Sequence, residues 1–282
     1  MRPIAIPTLL MLAAAGASWA QAVPTFEVAS IKVATAPGNC RGGPGTATPG
    51  QWNCTSTLRA LIESAWSAKD YQLIAPASLD KQLFNIVAKV PPDTGKADFY
   101  LMLRSLLMSR MGVVVHRETR EQTVFDLVIA KGGPKMALAE AASGEPPLAK
   151  DGSPAKFVLD KNGRAQLIPG RPMIRDGRMA NGNVRLEARM QGTAEIANTL
   201  SGEVGHVVID KTGLTDKYDY VLEFVSDRPT TTRAPAPTEG ASVPQPSIFD
   251  AVVQQLGLKL EAKKAPVEML VVDQANKEPV EN

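Results

Sequence analysis

In "TLRALIESAW", Leu58, Leu61, Ile62 and Ala65 fall at i, i+3, i+4 and i+7, one apolar helix face with Ser56 or Thr57 as its cap. Ahead of it, "FEVASIKV" alternates Phe26, Val28 and Ser30 against Glu27, Ala29 and Ile31, which predicts an opening strand. "YQLIA" and "LFNIVAKV" predict two strands about a turn at Pro76–Lys81. A second helix, "ADFYLMLRSLLMSRM", has Asp98 near its start and Gly112 after its end. "VVVHRE" and "VFDLVIA" then read as a hairpin across "TREQT".

From residue 132 to about 170 glycines and prolines dominate, the composition of a linker or long loop. "KFVLDKNGRAQLI", with Asn162-Gly163 at its turn, predicts a short hairpin within it, and a strand is expected at Val184–Ala188. Beyond Thr193 come a helix ("TAEIANTLSGEV", Ile196 and Leu200 on one face) and the strands "HVVID" and "YDYVLEF". Asp227 to Pro246 is Pro/Thr/Ala-rich and has the composition of a disordered insertion. "SIFDAVVQQLG" closes on Gly257 as a helix, and "LKLEA" with "VEMLVVD" reads as a hairpin across "KKAP".

The second half repeats the first. "FNIVAKV" (Phe84–Val90) lies on "YDYVLEF" (Tyr218–Phe224), "MGVVV" (Met111–Val115) on "LGLKL" (Leu256–Leu260), and "VFDLVI" on "VEMLVV". The spacing lengthens where the second copy carries its Pro-rich insertion. The expected fold class is α+β: two pseudo-repeats of helix-strand-strand-helix-strand-strand, with helices covering small sheets. The expected organisation is a signal peptide at 1–22, a first repeat at 23–131 with a Cys loop, a linker at 132–188, and a second repeat at 189–282 with its insertion at 227–246.

Arg2, an apolar run from Ile4 to Ala17 and small residues before Ala20 and Ala22 have the form of a secretory signal cut after one of those two alanines. No later stretch reaches the ~18 apolar residues of a membrane span. The mature chain is therefore expected in the periplasm or outside the cell. There Cys40 and Cys54, the two cysteines of the chain, most simply form a disulfide around a Gly/Pro-rich loop. A competing metal site would need further ligands, and His116 and His206 are remote in sequence. With 31 Lys+Arg against 29 Asp+Glu, the net charge of +2 is too scattered for a nucleic-acid surface.

Two triplets raise a catalytic possibility. Ser78-Leu-Asp-Lys81 has S-x-x-K spacing, and Lys211-Thr212-Gly213 is a K-T-G, the pair of signatures that marks serine penicillin-binding enzymes. That chemistry needs the serine at the start of a buried helix with K-T-G on a neighbouring strand. Here both triplets fall in turns, and in the repeat alignment they occupy equivalent turns. Gly213 supplies a permissive backbone there, and Asp210 and Thr212 can satisfy turn amides with their side chains. Asp216, Asp219 and Glu223 read as solvated acids, and Trp52 and Trp66 as core aromatics flanking the Cys loop.

"FEVASIK" after a signal peptide, "DKTGLTDKYDYVLEF" and the tail "SIFDAVVQQLGLKLEAKKAPVEMLVVDQANKEPVEN" resemble, in that order, a soil-associated acidobacterial secreted family of unknown function. Val33 stands where that family typically has proline. The resemblance implies secretion without an established reaction, and similar domains joined to membrane metallopeptidases of the antibiotic-sensor type imply sensing or binding in the envelope. It carries no catalytic residues and no cofactor. The expectation is a binding or sensing module whose partner is an envelope protein or peptide, added at an exposed strand edge. The alternative is an envelope serine hydrolase or penicillin-interacting enzyme using Ser78 and Lys211-Thr212-Gly213.

Overall fold

A computed structural model describes residues 24–140, 157–159, 165–168, 172–178, 183–226 and 246–280. The expected signal peptide, and the insertion as far as residue 245, lie outside them. In chain order the first elements are β1 (Val28–Ala34), β2 (Arg41–Gly42), β3 (Gln51–Thr57), α1 (Leu58–Trp66), β4 (Leu73–Ile74), β5 (Leu83–Lys89), α2 (Lys96–Met111) and β6 (Val114–Ile129). There follow β7 (Ala137–Leu138), β8 (Phe157–Leu159), β9 (Ala165–Leu167), β10 (Met173–Arg178), β11 (Asn183–Gln191) and α3 (Thr193–Val204). The last are β12 (Val208–Asp210), β13 (Tyr218–Val225), α4 (Ile248–Ala251, running into a π turn at Val252–Leu256) and β14 (Leu258–Gln274). The fold is mixed α+β.

The chain divides into two compact units that are not consecutive in sequence. Among the described residues, one contains 24–66, Leu79–Val113 and 276–280; the other contains Ser67–Ser78 and the described part of Val114–Ala275.

The first unit is an antiparallel sheet in the order β1-β5-β3-β2 with α1 and α2. Thr57 caps α1 by accepting the Ala60 N–H, and the expected face Leu58, Leu61, Ile62 and Ala65 is buried. α2 ends on Gly112 in the left-handed conformation. Alternate residues Trp52 and Cys54 of β3 and Phe84, Ile86 and Ala88 of β5 are buried, and Trp52 meets Phe99 of α2 edge-on. The Cys loop is more ordered than its composition suggests: β2 and β3 pair within it, and Cys40 and Cys54 are bridged.

In the second unit, the sheet β10-β11-β13-β7 packs α3 and α4 into a core with Leu127, Leu258 and Leu260 of the long strands. Ser247 caps α4 by accepting the Asp250 N–H, and Gly257 ends the turn that follows with φ +67°. The hairpin expected about Asn162-Gly163 is present as β8 paired with β9, its turn lying outside the described residues. β10, inside the stretch expected as linker, pairs with β11.

Two readings are corrected here. "VVVHRE…VFDLVIA" and "LKLEA…VEMLVVD" are not hairpins. Each is one continuous strand, β6 of 16 residues and β14 of 17, and the two pair antiparallel from Leu258↔Ile129 to Gln274↔Val114. Neither "TREQT" nor "KKAP" contains a glycine or asparagine to supply the positive φ that tight hairpin turns need. Their polar residues instead serve a solvent-facing side, where Lys263 pairs with Asp126 (2.7 Å) and Lys264 donates to Thr123 (3.0 Å). A small apolar cluster centred on Val124, Val267 and Met269 packs at the same level of the ribbon. Pro266 fits because β4 covers β14 only at Leu270 and Val271, which leaves the strand edge free at the proline.

The sequence of elements α1-β4-β5-α2-β6 recurs as α3-β12-β13-α4-β14. The halves interlock: β4 lies parallel to β14, and β12 lies parallel to β6, so each short strand sits on the long strand of the other half.

Candidate functional site

The serine-enzyme triplets are not brought together. Ser78 is exposed in a single 3-10 turn, Ala77–Asp80, between β4 and β5. Lys211 is exposed just after β12, where its backbone N–H donates to Leu127 O. β4 runs with β14 and β12 with β6, and those long strands are antiparallel. The two turns therefore leave the four-stranded sheet at opposite ends. No helix starts at Ser78, so the arrangement lacks the serine-on-helix geometry of an acyl-enzyme.

The K-T-G turn is a hydrogen-bonded knot. Asp210 accepts from the Thr212 amide (2.9 Å), the Thr212 hydroxyl (2.7 Å) and the Thr193 hydroxyl (2.6 Å), while Thr212 Oγ1 accepts from the Leu214 amide. Burial pushes the Asp210 carboxyl up, but those donors outweigh it and hold it below the usual aspartate value. Gly213 has φ +70°, as the turn reading expects.

Of the acids read as solvated, Asp216 is exposed, whereas Asp219 and Glu223 are paired. Asp219 takes Arg189 (2.9 Å) and the Met190 amide (2.9 Å), holding a bulge in which Met190 has φ 50°, and Glu223 takes Arg185. His116 faces Asp273 at 2.8 Å across the ribbon. His206 Nδ1 lies 2.9 Å from Val204 O in an exposed turn. His206 sits in a local contact, and His116 in one that crosses the ribbon.

A feature with a peptide's dimensions is the outer edge of β1, in the first unit. β1, at seven residues, is the longest strand at a sheet edge among the described residues. Its ladder fixes which groups are free. The Val90 amide donates to Gly50 O on the β3 side, so alternation along β5 turns Lys89, Val87 and Asn85 toward β1. Their partners Val28, Ser30 and Lys32 are spent on β5. The N–H and C=O groups of Ala29, Ile31 and Val33 consequently point out of the sheet.

Two cavities, about 500 and 590 Å³, follow that edge from Thr25 to Val33 and share Ala29 and Arg110. At about 3.3 Å per residue this is about 30 Å of edge. The facing wall is α2, through Met102, Leu106 and Arg110, continued by the tail at Glu278 and Val280. The tail is fixed to α2 by Asn276 N–H to Met111 O (2.7 Å) and Val280 N–H to Arg110 O (2.8 Å). Sequence reading identified β1 as a strand. What it missed was the groove, because the pairing partner of β1 and the return of the C-terminal tail are both distant in sequence.

A model of proteins of unknown function, DUF3738, matches residues 59–275. The chain belongs to that family. No curated protein and no solved structure matches it. Within this DUF3738 chain, α2 lies inside the matched span, whereas β1 and the tail that complete the groove lie outside it. No helix among the described residues is long and apolar enough to cross a membrane.

Proposed function

We propose that this DUF3738 chain is an extracytoplasmic binding module that takes an extended peptide segment of an envelope protein as an added strand on β1. The observation that carries the reading is the row of outward N–H and C=O groups on Ala29, Ile31 and Val33, facing a groove walled by α2. A peptide laid there satisfies both rows of backbone groups at once and gains contact with Met102 and Leu106. No proline or bulge interrupts β1 between Val28 and Ala34, so two of the devices by which proteins block strand addition are missing from this edge, and Lys32 is the one charged residue on the strand. The placement outside the cytoplasm is supported by the signal-like first 22 residues and the Cys40–Cys54 bridge. The resemblance to secreted acidobacterial proteins, some joined to membrane sensor peptidases, favours an envelope partner.

An array of ten-residue peptides, read by fluorescence anisotropy, tests the reading. Ile31→Pro removes one outward N–H while leaving the Ser30 and Lys32 bonds to β5. It is expected to weaken every binding peptide by roughly ten-fold or more with little change in melting temperature. Unchanged binding by that variant would contradict strand addition at β1.

A further inference from the structure

Arg110 lines both cavities and sits in the last turn of α2, half-buried. Its helix position alone is favourable through the macrodipole, but that uses none of its five donors. Among the described residues its guanidinium makes no hydrogen bond and no ion pair. Its backbone, in contrast, is anchored: its carbonyl holds the Val280 amide, and the next residue's carbonyl holds Asn276. The other charges along the groove are Glu27, Lys32 and Glu278. Glu27 is occupied by Lys89 at 2.6 Å, which leaves Lys32 and Arg110 against Glu278. Among the described residues the groove is thus net basic, with its forked donor held midway along the edge.

We infer that the groove selects extended peptides carrying a carboxylate, which the Arg110 guanidinium takes as a forked pair; this rests on the strand-addition reading. An arginine fork matches a carboxylate with two parallel charge-assisted bonds, whereas an ammonium offers only a point charge. The occupant is therefore an acidic strand in which one Glu, Asp or terminal carboxylate sits at a fixed register relative to β1.

The test uses fluorescein-labelled eight-residue peptides of alternating Thr and Val, with a single Glu moved through the eight positions and a matching Gln set. In the whole mature chain, one or two adjacent Glu positions are expected to bind about ten-fold tighter than their Gln counterparts. Arg110→Gln is expected to bring the two sets together, and Arg110→Lys to keep only part of the preference. Equal binding of the Glu and Gln sets to the wild type would overturn the role of Arg110 and leave strand addition standing. A preference that survives Arg110→Gln but disappears in Lys32→Gln would also overturn it. If no peptide of either set binds, strand addition itself fails and the acidic preference falls with it.

Discussion

Leu73 of β4 lies in parallel register beside Leu270 of β14, 197 residues further along the chain. Its counterpart contact, Val208 of β12 beside Phe125 of β6, runs the other way between the halves. Each half therefore completes the sheet of the other, and the two longest strands are zipped together along their whole length.

A chain cut between residues 141 and 156 should stay in one piece under native conditions. The cut separates β6 from β14 covalently, yet their ladder and both exchanged short strands remain. A protease site placed there, cleaved and run on a sizing column, is expected to give a single species. Elution as two separate fragments would show that the interlocked pairing is wrong.

Two of the glycines that close turns in the second unit should differ in cost. Gly213 has φ +70° with nothing within 4 Å of where a Cβ would stand, so Gly213→Ala is expected to cost about 1 kcal/mol from backbone strain alone. At Gly257, φ is +67° and the added carbon would stand 2.0 Å from Gly133 O, so Gly257→Ala should cost about 3 kcal/mol or more. Lys211→Ala, at an exposed turn residue, is expected to stay within about 0.5 kcal/mol. Urea titration of the three variants ranks them, and a large loss at Lys211 would argue for a role beyond the turn.

Asp210 predicts the direction of acid sensitivity. Its folded pKa is lowered, so its contribution is present above the unfolded value of about 3.9 and is lost as pH falls through the folded pKa. Asp210→Asn should therefore lower stability at pH 7 and shrink the further loss between about pH 4 and pH 2. Denaturant midpoints across that range check it; identical pH slopes for both proteins would contradict the knot.

How much of this was legible depended on whether the signal was local. Helices were readable because Leu58, Leu61, Ile62 and Ala65 mark a face, and Gly112 and Gly257 mark ends, all within a few turns. The K-T-G turn was readable for the same reason, its partners Asp210, Thr212 and Gly213 being neighbours. The long ribbon was not, since nothing local distinguishes a polar mid-strand stretch such as "TREQT" from a turn. Nor was the pairing of His116 with Asp273, separated by 157 residues, or of Asp219 with Arg189, separated by 30. The groove belongs to this second class: β1, α2 and the tail are three distant segments, each bland alone.

The Pro-rich insertion should be replaceable. Val225 donates its N–H to Pro246 O at 3.0 Å, so entry and exit of the segment 227–245 are already held side by side. A short Gly/Ser link in its place has little distance to span, and loop length costs only about 0.6 kcal/mol per doubling. The melting temperature is expected to be nearly unchanged, and a collapse would mean that the segment contributes packing.

The most direct test of strand addition is residue-resolved amide exchange on residues 23–282, with and without a peptide from the array that binds. Val28, Ser30 and Lys32 donate to β5 and should be protected in both states, whereas Ala29, Ile31 and Val33 should exchange fast when free and slow markedly when bound. That alternation along one strand is what an added strand on β1 predicts. Tight binding that leaves Ala29, Ile31 and Val33 as fast as before would contradict it.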